Sequence, residues 1–331
     1  MLTKYKEYVI IHAIKGGITV SEVFEQLELL SENEAKMFMQ MLFIGYENRK
    51  KEGLIFEVSP RIPKLIILTY YNYIKKPQFS NIYENFKKKY INDNSSVKNF
   101  KERYIYNENK LEEVHTKEEI AGLRKVYDYI QSKEDLENVN LYTLSDIHEI
   151  LYSLTPYPDF GGKYRRDIRF LPGSGVDLTP PEMIVHEMNL LRGEINDLVA
   201  MGNEIGKNNE PEKLIEYVDK CIELKCKFIK IHPFGDGNGR SVRAFTNLLF
   251  RLANIPPVYV ENREKVKYGE AMQAALGDND LTKIKGFYYY KICDSIMSLD
   301  SQLEKEYAEP DTKISDISIP KIKKYTFNIT E

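Results

Sequence analysis

The chain has 331 residues, with 47 lysines and arginines against 50 aspartates and glutamates and a net charge of −3. Hydrophobic residues at 42% and charged residues at 29% suffice for a sizeable core in one large or two ordinary domains, and they exclude a chain disordered throughout. The absent basic excess argues against whole-chain binding to DNA, RNA or an anionic membrane.

Cys221, Cys226 and Cys293 form no disulfide framework and no metal-ligand spacing, so they read as buried core thiols in a reducing compartment. The segment MLTKYKEYVIIHAIKGG has a short apolar run and no cleavage site, which does not fit a signal peptide. No run approaches the roughly 18 apolar residues of a membrane span, and a soluble, cytoplasmic protein is expected.

Apolar periodicity predicts helices over residues 19–30 and 35–48, and the spacing of the first 78 residues loosely resembles a helix-turn-helix unit. The basic, proline-punctuated stretch from Arg61 to Pro77 suggests a boundary near residue 78. Further helices are predicted over 117–131, 144–154, 181–200, 211–231, 239–254 and 266–276. Between them, residues 155–182 hold five of the 14 prolines, with DIRFL as a short strand and PGSG as a turn. The resulting division is an N-terminal helical appendage (1–78), connecting helices (79–135), a mainly α domain (136–300) and a tail (301–331) that adds a strand or hangs loose.

The chemistry concentrates in residues 211–254. The helix over 211–231 is apolar around most of its circumference, as expected of a central helix. It runs into His232-Pro233-Phe234-Gly235-Asp236-Gly237-Asn238-Gly239-Arg240. Pro233 ends the helix, and Gly237-Asn238-Gly239 can turn backbone N–H groups inward at the positive end of the next helix, making an anion cradle. Arg240 and Arg243 lie on one face and suit phosphate oxygens through their two-pronged guanidinium groups. Asp236 is a hard oxygen ligand of the kind that holds Mg²⁺, and His232 is a candidate general base. Alone, the loop could be an ordinary turn and the histidine a helix cap. In this order the parts match phosphoryl or nucleotidyl transfer, without a P-loop.

HPFGDGNGRSVR, His232 to Arg243, resembles the signature of the Fic (filamentation induced by cAMP) family, HxFx(D/E)GNGRxxR, at every specified position. GGKYRR at 161–166, TPPE at 179–182, IPPVYV at 255–260 and the YGEAM segment are weaker likenesses. The resemblance implies a Fic-type helical domain with a β-hairpin flap, and transfer of AMP from ATP to a Ser, Thr or Tyr hydroxyl of a target protein, the chain itself included. It implies that His232 is the base, that Asp236 holds Mg²⁺, and that Phe234, Gly235, Gly237, Asn238, Gly239 and Arg240 surround the phosphates. Arg243 would meet the γ-phosphate, and Tyr268 would border the adenine or simply pack its helix. Asp167, Ile168, Arg169, Phe170 and Leu171 would dock a target segment by strand addition. Gly239-Arg240 resembles the adenylylating form of the loop rather than the lysine variant of phosphorylating relatives.

Many such relatives carry an inhibitory helix, (S/T)xxxE(G/N), whose glutamate pairs with the second arginine. Glu84 in SNIYEN fits those letters, whereas Glu112 fits by its context and distance ahead of His232 but has Glu108 and Glu113 at the outer positions. Glu112 is favoured, and an ordinary surface glutamate is the alternative for either. Removal of AMP, or nucleotide sensing with residues 1–78 bound to DNA or a partner, are the rival functions; homo-oligomerisation stays open.

Overall fold

A computed structural model describes residues 30–31, 35, 38–39, 42, 46, 61–74, 100–171, 175–208 and 210–299. The helices are α1 (Arg61–Thr69), α2 (Phe100–Leu111), α3 (Lys117–Ser132), α4 (Leu141–Tyr152), α5 (Ile184–Asn208), α6 (Leu214–Ile231), α7 (Asn238–Leu252), α8 (Lys265–Gly277) and α9 (Thr282–Leu299). No strand occurs among the described residues, so the mainly α expectation holds.

Each helix starts where its local chemistry permits. Asn140 caps α4: its Oδ1 accepts from the Tyr142 N–H, and its own N–H donates to Thr143 Oγ1. This moves the start three residues ahead of the predicted 144. α5 runs to Asn208, past the predicted 200, because Leu198, Val199, Gly202 and Ile205 continue its buried stripe. Residues 61–74, ahead of the boundary expected near residue 78, are helical and end in a π-helical turn over Tyr70–Ile74; the boundary itself lies outside the described residues. Pro63 lies in the first turn of α1, where no intrahelical N–H bond is lost, and Leu65, Ile66, Ile67 and Leu68 are buried. α9 escaped the periodicity reading because Phe287, Tyr288, Tyr289, Tyr290 and Ile292 are buried on all sides, leaving no single apolar stripe.

The centre is the α6–α7 hairpin, with α5 packed on both of its helices and α3 and α4 against α7. Fourteen of the 15 residues of α7 are buried, including Arg240, Arg243 and Arg251. Arg251 Nη1 donates to the Ile130 carbonyl at 2.7 Å and so satisfies the end of α3. Two contacts depend on glycine: a Cβ on Gly122 would collide with the Leu151 carbonyl of α4, and one on Gly202 with the Tyr217 hydroxyl of α6. All three cysteines are buried and none forms a disulfide. No described helix is long and apolar enough to cross a membrane.

The predicted strand over 167–171 takes another form, and most of the turn expected after it lies outside the described residues. Residues 168–171 have no regular structure, and 172–174 lie outside the described residues. The segment's ends are tied down, with Arg165 N–H donating to the Pro233 carbonyl and Thr179 N–H to the Lys230 carbonyl. Strand geometry needs a neighbouring strand, and none runs alongside among the described residues. Glu84, all but the last residue of the predicted helix over 19–30, most of residues 1–78 and the tail from 301 also lie outside the described residues.

Candidate active site

The site begins where α6 stops. His232 adopts the left-handed conformation, φ 52° and ψ 59°, while its N–H still bonds the Phe228 carbonyl at 2.9 Å. A non-glycine residue in this region is strained, and the surroundings must hold it. Arg165 does so: its Nε donates to the His232 carbonyl at 2.7 Å and its Nη1 to the Asp167 carbonyl at 2.6 Å, while its Nη2 bonds the Thr179 carbonyl. One buried guanidinium thus fastens the helix end and both arms of the 167–179 segment.

The loop after His232 is closed by Asn238. Its Oδ1 accepts from the Phe234 N–H at 2.9 Å, and its Nδ2 donates to the Phe234 carbonyl at 2.8 Å. The Asn238 side chain therefore shapes the turn and leaves the cradle to the backbone. Gly237 is left-handed with φ 72°, and a Cβ there would lie 2.8 Å from the Tyr152 ring. α7 starts at Asn238, so its first-turn N–H groups, which have no acceptor within the helix, point at the hollow around Gly239.

Two side chains on one face of α4 support this loop from below. The Gly162 N–H donates to His148 Nδ1 at 2.9 Å, which makes Nδ1 the acceptor. Nε2–H then donates to the Asp236 carbonyl at 2.8 Å. The imidazole stacks on Phe234, with ring centroids 3.9 Å apart. Burial lowers its pKa to about 4, so it stays neutral near pH 7. Tyr152 donates its hydroxyl to Asp236 Oδ2 at 2.8 Å. Burial acts to raise the Asp236 pKa, but the Tyr152 hydroxyl, the Gly237 N–H and Arg240 outweigh it and hold the carboxyl below the usual aspartate range. Its side chain is 71% exposed at the edge of the hollow.

Arg240 and Arg243 of α7 are met by glutamates from α2, α3 and the turn between them. Arg240, buried to 1% exposure, lies 2.8 Å from Glu119 Oε2 and donates to the Tyr152 hydroxyl at 3.3 Å. Arg243 donates from Nη2 to Glu112 Oε1 at 2.7 Å and from Nε to Glu108 Oε2 at 2.6 Å. A Cβ on Gly239 would collide with Glu112 Oε1, so this carboxylate is seated in the hollow itself.

Beside it opens a cavity of about 320 Å³, which His232, Gly239 and Arg243 share with Tyr268, Met272 and Leu276 of α8. Tyr268 both lines this space and packs on Phe287, ring centroids 5.4 Å apart. Burial lowers the His232 pKa, with the Ile229 carbonyl and Glu112 pulling the other way and Arg165 reinforcing it, so the neutral imidazole dominates near pH 7. Leu171 reaches the cavity, whereas Ile168 and Phe170 are 70% and 78% exposed and Arg169 pairs with Asp167 at 2.7 Å.

A divalent ion fits this donor set. Among the described residues no three His, Cys, Asp or Glu side chains gather around a common point, but Mg²⁺ is commonly held by one carboxylate together with substrate phosphates. Asp236 offers one such carboxylate at the rim of an anion seat.

The predicted residues His232, Gly239, Arg243, Tyr268 and Glu112 thus line one cavity, with Asp236 and Gly237 in the loop that leads into it. Sequence reasoning missed Glu108 as a contact of Arg243, and also Glu119, His148, Tyr152 and Arg165. The only advance signals were the GGKYRR run and the i, i+4 spacing of His148 and Tyr152.

Comparison with known proteins agrees with this geometry. Residues 138–250 match the Fic/DOC family. The chain is 32% identical over 162 residues to the protein adenylyltransferase Fic of Aedes aegypti, which covers 47% of this chain and 29% of that protein. For the protein of the same name from Culex quinquefasciatus the identity is 31% over 160 residues, with the same coverage. The chain thus matches less than a third of the length of these relatives. Among solved structures, a Fic domain-containing signaling protein from Bacteroides thetaiotaomicron aligns with a TM-score of 0.49 at 16% identity, over 69% of this chain and 97% of that one.

Proposed function

We propose that this chain, with its Fic/DOC match over 138–250, transfers AMP from ATP to a hydroxyl of a protein, itself included. The observation that carries the reading is the seat of Glu112: a carboxylate occupies an anion hollow formed by Gly239 and Arg243, at the mouth of a cavity that also holds His232. A triphosphate displacing that carboxylate would place its phosphates on the start of α7 and its base toward Tyr268 and Met272. The adenylyltransferase names of the relatives support the same chemistry.

In the reaction, the target hydroxyl oxygen attacks the α-phosphorus, the bond from that phosphorus to the bridging oxygen breaks, and pyrophosphate leaves. The hydroxyl proton passes to neutral His232. The N–H groups of the 237–239 turn and Arg240 receive the developing phosphate charge, and Arg243 orients the γ-phosphate once Glu112 withdraws. Asp236 would hold Mg²⁺, which when bound neutralises phosphate charge. The 167–171 segment, with its exposed Ile168 and Phe170, would take a target strand along its backbone.

ATP labelled at the α-phosphorus tests this directly. Label on protein together with released pyrophosphate supports adenylyl transfer, whereas labelling only from the γ-phosphorus would replace it with kinase chemistry. Because Glu112 shares the cavity with His232, hydrolytic removal of AMP is the second reading, tested by offering AMP-modified protein without ATP.

A further inference from the structure

Arg243 is gripped on two edges by carboxylates of very different character. Glu108 and Glu112 are four residues apart on and just past α2, and so share a face. Glu108 is fully buried, beside Tyr104, which is also fully buried, and its Oε2 takes the Nε edge at 2.6 Å. Glu112 has a side chain 34% exposed and takes Nη2 at 2.7 Å from within the hollow. The third nitrogen, Nη1, lies beside Gly239, 2.9 Å from where a Cβ would sit. Glu108 therefore holds the side of the guanidinium facing the core, and Glu112 competes for the side facing the hollow.

We infer that Glu108 is a positioning residue for Arg243, fixing the guanidinium so that both Nη groups face the phosphate seat when Glu112 leaves. This rests on the nucleotide reading above. A buried arginine that lost its sole carboxylate would be left with an uncompensated charge. Here Glu108 stays behind, so the departure of Glu112 strands no charge and the arginine keeps its plane. Two carboxylates on one guanidinium also repel each other, which makes the exposed one easier to displace. The two glutamates thus have opposite effects: Glu112 blocks the seat and Glu108 builds it.

The test compares binding of α,β-methylene-ATP, which cannot release pyrophosphate, with binding of AMP, which has no γ-phosphate. Glu112→Gly should prefer the triphosphate. Adding Glu108→Met, which keeps the volume but removes the acceptor, should cut that preference about tenfold, with AMP binding unchanged; Glu108→Gln, which restores an acceptor, should recover most of it. An unchanged preference in the Met variant overturns the inference.

Exchange of the Arg243 Nε–H, followed by NMR in the parent chain and in Glu112→Gly, needs neither a Glu108 variant nor nucleotide. Protection retained without Glu112 supports Glu108 as the holder, and protection lost overturns it. If Glu112→Gly shows no triphosphate preference, the nucleotide reading fails, while the exchange result still decides how Arg243 is held.

Discussion

Glu112 Oε1 lies 2.7 Å from Arg243 Nη2, in the hollow formed by the start of α7. Both groups are charged, and the bond blocks the place where phosphate oxygens would bind. Replacing Glu112 by glycine should therefore raise the rate of AMP transfer about tenfold or more, the equivalent of one charge-assisted hydrogen bond. Steady-state labelling with and without the substitution checks this. Equal rates would mean that Glu112 leaves the seat at no cost and does not restrain the site.

Tyr152 donates to Asp236 Oδ2 at 2.8 Å and fixes the carboxylate expected to meet the metal. Removing such an outer partner commonly weakens metal binding by about tenfold or more. Tyr152→Phe should raise the Mg²⁺ concentration for half-maximal transfer by about that factor. A titration curve identical to the parent's would show that Asp236 needs no orienting partner.

His148 links acidity to stability. Its folded pKa is lowered to about 4, so between that value and its unfolded value of 6.5 the unfolded chain binds the extra proton. Its stabilising contribution is full above about pH 6.5 and declines as the pH falls toward 4, by about 3 kcal/mol in total. His232 shifts in the same direction, so the comparison is with His148→Gln, which should show a shallower loss of stability in chemical denaturation at pH 7, 6 and 5. Parallel curves would contradict the assigned neutral, doubly bonded imidazole.

Gly122 separates local propensity from packing. Alanine is the better helix former by about 1 kcal/mol, so local propensity favours Gly122→Ala in α3. The collision of its Cβ with the Leu151 carbonyl reverses the sign. A net loss of about 1–3 kcal/mol is expected, with reduced transfer because α4 carries both His148 and Tyr152. A stabilised protein would show that the two helices can part freely.

The sequence announced the hollow because its parts are contiguous. Pro233, Gly237, Asn238, Gly239 and the two arginines fall within one helix-loop-helix, and short-range rules fix their geometry. The supporting residues were not legible, since His148, Tyr152, Arg165 and Glu119 reach the loop from far away in the chain and carry no local pattern. Glu108 shows the difficulty plainly. By letter it departs from the inhibitory pattern and weakens the match, yet in space it bonds the same arginine as Glu112. The 167–171 segment failed in the opposite sense. DIRFL suggested a short strand, but a strand needs a neighbour, and none is present among the described residues.

The most direct measurement is the intact mass of the chain and of an added acceptor protein after incubation with ATP and Mg²⁺, for the parent, Glu112→Gly and His232→Ala. The account predicts a gain of one AMP moiety, greatest in Glu112→Gly and absent in His232→Ala, which should still bind ATP. A gain of phosphate instead, a gain that survives in His232→Ala, or no gain on either protein in Glu112→Gly would contradict it.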